Sequence, residues 1–178
     1  MDTNELLLEK LKIEVSVPAD VDFTLKLFDS AIAYQQKNGY ELWPKFSKQL
    51  IETEITEGRH WKILHEKTIV CVFSVLYNDP VIWKEKDSEP AVYLHRIAVN
   101  PSYKGKGIMK KIRVWAIQHA REKKKKYVRM DTWGNNENLR NYYINCGFNY
   151  IGRQYLKDVN GLPGHYGGSV LSLFQIEV

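Results

Sequence analysis

Between residues 100 and 111 the chain reads NPSYKGKGIMKK, which sets Lys104, Lys106, Lys110 and Lys111 about two glycines, Gly105 and Gly107. A glycine-rich turn of this kind, standing between a strand and a helix, offers backbone N–H groups and the positive end of a helix dipole to an anion. A phosphate is the guest that suits it. The same residues also make an ordinary turn, and on the turn alone both readings stand. The spacing matches neither GxxxxGK[ST] nor GxGxxG, since Gly107 is followed by Ile108, Met109 and Lys110.

Such a turn needs a strand to lead into it and a helix to leave it. Ala91 to Val99 reads as that strand, and Gly107 to Lys124 as that helix, with Ile108, Ile112, Trp115, Ala116 and His119 on one face. Tyr127 to Trp133 is the next strand, giving a strand, helix, strand crossover. Upstream, Ile13 to Val17 alternates as a strand. Asp20 then caps a helix with the stripe Val21, Leu25, Phe28 and Ile32, which stops at Asn38-Gly39. Trp43-Pro44 opens a second helix reaching about Glu57, Trp61 to Glu66 and Thr68 to Tyr77 read as neighbouring strands, and NDPVIWKEKDSEP reads as a loop. Downstream, Asn136 to Cys146 reads as a short helix with Leu139, Tyr142, Tyr143 and Cys146 facing inward. Strands near Tyr150 to Leu156 and Ser169 to Ile176 follow, on either side of the turn-rich DVNGLPGHYGG.

A chain of 178 residues suits one domain over residues 1–178, and 44% hydrophobic with 26% charged residues is an ordinary folded composition. The opening MDTNELLLEK is acidic and polar, and no stretch approaches the length of a membrane span, so a cytoplasmic protein without a membrane partner is expected. Cys71 and Cys146 lie far apart in apolar contexts, without CxxC spacing or clustered histidines. They read as reduced packing residues, with no metal and no disulfide expected. The net charge of +5 owes much to Lys123 to Lys126, a solvated last helical turn whose cations meet the negative end of the dipole. No basic face with interleaved aromatics is visible, so nucleic acid is not expected as a partner.

Taken with its flanks, LHRIAVNPSYKGKGIMKKI resembles the acetyl-CoA-binding core of the GNAT superfamily of N-acetyltransferases. The family loop reads Gln or Arg, two residues, Gly, one residue, then Gly or Ala; here Lys104, Gly107 and Met109 stand at those three places. Lys104 keeps the positive charge, whereas Met109 adds bulk where the family keeps the helix open. Downstream, NNENLRNYYINCGF resembles the family's pattern of Asn, Tyr seven residues on, then Gly-Phe, carried by Asn136, Tyr143, Gly147 and Phe148. The resemblance implies an α/β fold with a mixed, mostly antiparallel sheet flanked by helices. It also implies acetyl-CoA as cosubstrate and transfer of the acetyl group to a primary amine.

The resemblance further assigns roles. Backbone groups of Ile97, Ala98 and Val99, at a bulge, would pair with the pantetheine arm as an added strand does. Amides of Tyr103, Lys104, Gly105, Lys106, Gly107 and Ile108 would cradle the pyrophosphate, and Asn136 joins the cofactor set. Tyr143 would stand beside the coenzyme sulfur; with reference pKa values of about 10 for a phenol and about 8.5 for a thiol, full proton transfer is uphill by roughly 2 kcal/mol. Hydrogen-bond support of the departing thiolate is its role, or else Tyr143 is a core tyrosine. An acceptor amine of pKa about 10.4 carries a deficit of about 4.6 kcal/mol for deprotonation at neutral pH, so a base or water relay is needed. His95 lies where the arylalkylamine acetyltransferases resemble this chain and carry two histidines, and Tyr93 replaces the other. His95 is then the base, or a core residue on the face of Ile97 and Val99. Glu41, Glu54 and His165 are further contributors to the acceptor side. The acceptor is expected to be a small-molecule amine, with aromatic residues of the first seventy, Tyr155 and Tyr166 lining its pocket. A protein lysine or N-terminal amine, and a non-catalytic acyl-CoA-binding domain, stay open as alternatives, as does a homodimer.

Overall fold

The computed structural model describes residues 3–157 and 168–178. The chain forms two compact units, one running to Val75 and taking in Arg96–Lys111, the other made of Leu76–His95 with Ile112–Val178.

In the first unit, helix α1 (Thr3–Lys10) leads into β1 (Leu11–Val15), followed by α2 (Val21–Lys37), α3 (Lys48–Thr56), β2 (His60–His65) and β3 (Thr68–Leu76). β1 and β2 run antiparallel with Leu11 opposite His65 and Val15 opposite Trp61, and β2 pairs antiparallel with β3. The strand expected to reach Val17 ends at Val15 because Val17 is drawn into a 3-10 turn, Pro18–Asp20, its N–H donating to Asp20 Oδ2 at 2.7 Å. Asp20 therefore makes no side-chain cap to α2, and the same oxygen accepts from Lys62 Nζ at 2.8 Å. α2 buries Val21, Thr24, Leu27 and Phe28, and the expected Leu25 packs half-buried against the same core. Val21, Leu27 and Phe28 form a core with Ile51 of α3, Val72 of β3 and Ala98. The helix expected from Trp43 starts only at Lys48, where Ser47 Oγ accepts from the Leu50 N–H at 3.2 Å. The preceding stretch instead sends Trp43 and Phe46 onto the Phe28 ring, with centroids 6.0 and 4.9 Å away.

The second unit holds α4 (Pro80–Trp83), a 3-10 turn (Lys84–Ser88) and the start of β4 (Ala91–Val99). It continues with most of α5 (Ile108–Glu122), then β5 (Tyr127–Trp133), α6 (Glu137–Asn145), β6 (Asn149–Tyr155) and β7 (Val170–Glu177). The stretch read as a plain loop folds because Ile82 and Trp83 bury their side chains almost completely. Trp83 packs on Tyr93 with centroids 5.6 Å apart and lies 4.9 Å from the Arg129 guanidinium. That guanidinium is fully buried and satisfied, donating to Gln175 Oε1 at 3.0 Å, the Lys86 carbonyl at 2.5 Å, Tyr93 Oη at 3.2 Å and the Glu89 carboxylate. A buried charge persists only with such partners.

β4 and β5 are parallel, while β7 pairs antiparallel with both β5 and β6. The strand order is β1-β2-β3-β4-β5-β7-β6. This is a mixed α/β fold with a seven-stranded, mostly antiparallel sheet flanked by helices, as expected from the sequence. Cys71 and Cys146 are buried and free, as read.

Candidate active site

The glycine turn is fixed by short-range hydrogen bonds. Asn100 Oδ1 accepts from the Ser102 N–H at 3.1 Å, and Pro101–Tyr103 forms a 3-10 turn leading to Gly105 and Gly107, whose φ values are +75° and +76°. Only glycine takes this left-handed backbone without strain. The amides of Tyr103, Lys104 and Lys106 already donate within the turn, to the carbonyls of Asn100, Pro101 and Tyr103. The amides of Gly105, Gly107 and Ile108, the last opening α5, take no part in these three bonds. Tyr103 fixes the turn by its hydroxyl, 2.9 Å from His65 Nδ1. Lys104 lays its ammonium on the Tyr34 ring, 2.7 Å from the centroid, so its charge has a second claim upon it. The Met109 side chain is buried, at 3% exposure.

Just before this turn, Arg96 adopts φ +48° within β4, a left-handed residue that breaks the strand's alternation. Past it Ala98 enters the core, while Ile97 and Val99 stay half-buried as His95 does. Strain of this kind in a non-glycine residue costs about 1–3 kcal/mol and must be held by its surroundings. Glu54 supplies the hold. Its buried carboxylate accepts from Arg96, from Arg59 Nη1 at 2.9 Å and from Ser74 Oγ at 2.6 Å. Expected as a contributor on the acceptor side, Glu54 has both oxygens engaged, Oε1 by Arg96 and Arg59 and Oε2 by Ser74. Glu41 is exposed in the irregular stretch before α3, and His165 and Tyr166 lie outside the described residues.

The Asn, Tyr, Gly-Phe spacing has a local cause. Asn136 is the N-cap of α6, its Oδ1 accepting from the Leu139 N–H at 3.0 Å. At the other end the N–H groups of Gly147 and Phe148 donate to the carbonyls of Ile144 and Tyr143, at 2.9 and 3.1 Å, a Schellman closure. Gly147 has φ +92°, and a Cβ there would meet Arg113 Nε at 2.8 Å. Tyr143 is thus fixed from both ends of a short helix. Its ring rests against Phe174 and Phe148, with centroids 5.4 and 6.4 Å away, and stays half-buried, whereas Tyr142, expected to face inward, is 45% exposed.

His95 lies in β4 one residue past the end of its pairing with β5, since the parallel register runs from Ala91 opposite Tyr127 to Leu94 opposite Met130. Asp79 Oδ2 lies 3.1 Å from its Nε2 and Asp131 Oδ1 4.0 Å from its Nδ1. One donor atom from each of the three stands within 4.8 Å of the others, close enough to share a proton or a small cation. Sequence reasoning missed both carboxylates; the available signals were Asp79 before Pro80, and Asp131 interrupting an apolar strand. Tyr93, at the neighbouring position, is fully buried; burial first, and then a hydrogen bond to Asp87, push its phenol well above the ordinary range. That makes it a poor proton carrier at neutral pH.

The seven-stranded mixed sheet, with a glycine turn before α5, is an acetyltransferase fold. The sequence model of the acetyltransferase (GNAT) family matches residues 27–148, and the chain belongs to this family. Among curated relatives, the uncharacterized N-acetyltransferase YesJ of Bacillus subtilis is 27% identical over 74 residues, which span 42% of this chain and 41% of that protein's length. Among solved structures, a GNAT-family acetyltransferase of Listeria monocytogenes superposes with a TM-score of 0.76 at 20% identity, covering 94% of this chain and 95% of the other. The yncA protein of Salmonella typhimurium, solved with its cofactor acetyl-CoA, gives a TM-score of 0.64 at 15% identity, with 94% of each chain covered. These two likenesses establish the fold.

Proposed function

We propose that the protein transfers an acetyl group from acetyl-CoA to a primary amine of a small molecule. The observation that carries the reading is the glycine turn: two left-handed glycines before α5 leave the amides of Gly105, Gly107 and Ile108 for the pyrophosphate. Ile97, Ala98 and Val99, just past the left-handed Arg96, offer backbone to the pantetheine arm, and Tyr103, Lys104, Lys106 and Asn136 complete the cofactor surroundings. Lys104 would have to leave the Tyr34 face to meet the pyrophosphate.

When acetyl-CoA is bound it supplies an activated thioester carbonyl. The amine lone pair forms the C–N bond, the C–S bond breaks with its electrons on sulfur, and Tyr143 donates a hydrogen bond to the thiolate. His95 takes the amine proton. A compact cationic amine is supported as acceptor by the two carboxylates beside His95, which favour positive charge there.

Thermal melting with ligands tests the cofactor reading. Coenzyme A should raise Tm more than ATP or NAD at equal concentration, and Gly107→Val, forced into a left-handed backbone, should lose that rise while still melting cooperatively. Equal or greater stabilisation by ATP would sink the assignment.

A further inference from the structure

Asp79 occupies the N-cap position of α4, where an aspartate ordinarily accepts from the helix's first N–H groups, yet it makes no such cap. Its backbone is held from both sides, the N–H donating to Asp87 Oδ1 at 2.6 Å and the carbonyl accepting from the Trp83 N–H at 2.9 Å. The side chain, 7% exposed, turns instead toward β4, where its Oδ2 takes no hydrogen bond and stands 3.1 Å from His95 Nε2. From β5 the Asp131 carboxylate, 9% exposed, comes within 4.0 Å of the other ring nitrogen. An imidazole that is itself 11% exposed thus lies between two carboxylates from separate elements, at the point where β4 and β5 cease to pair.

A buried carboxylate that forgoes its cap must find a hydrogen-bond partner elsewhere, and the His95 ring stands within its reach. We infer that Asp79 is the positioning residue for His95: with Asp131 on the other side, it orients the ring and stabilises the imidazolium formed when the acceptor's proton is taken. The inference rests on the acetyl transfer proposed above. The amine nitrogen bonds to the thioester carbon, coenzyme A leaves as thiolate, and the proton released by nitrogen passes to His95 and then to solvent. Asp79 orients the ring without touching the reacting atoms, the part that the aspartate of a serine protease triad plays. Among the described residues, Asp79, from the turn before α4, and Asp131, from β5, face the ring with carboxylates.

The test compares wild type with Asp79→Asn, Asp79→Glu and Asp131→Asn. Asp79→Asn should keep the Tm rise with coenzyme A, lower kcat by about ten- to a hundredfold with little change in KM for acetyl-CoA, and move the acid limb of the rate against pH downward by about one pH unit. Asp79→Glu should recover part of the rate and return the limb toward its wild-type position. Asp131→Asn should shift the limb in the same direction by less, which keeps the question open to measurement if Asp79→Asn does not fold. An NMR titration of His95, assigned by His95→Gln, reads the same pairing without turnover, so a wild type inert toward every amine would fail the functional reading and not this one. An NMR midpoint for His95 that is the same in wild type and Asp79→Asn would overturn the inference. So would activity abolished by a chelator and restored by zinc, because the three side chains would then hold a metal.

Discussion

The N–H of Phe148 donates to the carbonyl of Tyr143 at 3.1 Å while the two rings meet edge-on, with centroids 6.4 Å apart. One helix ending therefore fixes both the backbone and the ring of the tyrosine proposed to support the leaving thiolate. Tyr143→Phe keeps the ring contacts and removes only the hydroxyl. Turnover should fall by about ten- to a thousandfold with coenzyme A affinity unchanged, measured by steady-state kinetics beside a binding titration. Full activity would return Tyr143 to a packing role.

The same closure makes Gly147 sensitive. Gly147→Ala places a Cβ 2.8 Å from Arg113 Nε on a backbone of φ +92°. A loss of about 1–2 kcal/mol is expected, read as a lower urea midpoint at unchanged m-value. Asn136→Ala, which removes the N-cap bond, should cost about 1 kcal/mol. No loss in either variant would mean that the spacing serves something other than fixing the helix.

How much of this was legible in the sequence depends on how local the cause is. β4 and β5 were bounded correctly because apolar runs between Pro90 and Asn100-Pro101, and after the lysine run, leave little freedom at their ends. The α6 motif was legible for the same reason, since cap, ring and glycine lie within three helical turns. The left-handed Arg96 was not, because arginine carries no signal for that backbone and its hold comes from Glu54, distant in sequence. Asp79 was likewise hidden: an aspartate before proline reads as a turn residue, and only the fold turns its carboxylate to His95.

Glu54 separates structure from catalysis. Glu54→Gln removes the charge that meets Arg59 and Arg96, and breaking a buried pair this way costs about 3 kcal/mol. The urea midpoint should fall accordingly, while the pH profile of the surviving activity keeps its form. A lost limb in that profile would instead assign Glu54 to proton transfer.

His60 makes a stability prediction with a definite sign. It is fully buried with Nδ1 2.7 Å from Ser16 Oγ, and burial, partly opposed by Asp20 and assisted by Arg59, lowers its pKa to about 4 from an ordinary 6.5. Above pH 6.5 both folded and unfolded chains hold it neutral and it contributes no pH dependence. Between 6.5 and 4 the unfolded chain takes the extra proton, so stability falls with falling pH, by on the order of 3 kcal/mol in all. Urea unfolding across that range should show this slope, and His60→Gln should flatten it. An equal slope in the variant would place the titration elsewhere.

The central claim is acetyl transfer to an amine, and the most direct measurement is release of free coenzyme A thiol from acetyl-CoA across a panel of primary amines, with the product mass recorded. The account predicts thiol release that depends on the amine, saturates with it, and matches the N-acetylated product mole for mole. Tight coenzyme A binding with no amine-dependent release, for small amines and lysine peptides alike, would contradict it and leave a domain that binds acyl-CoA without turning it over.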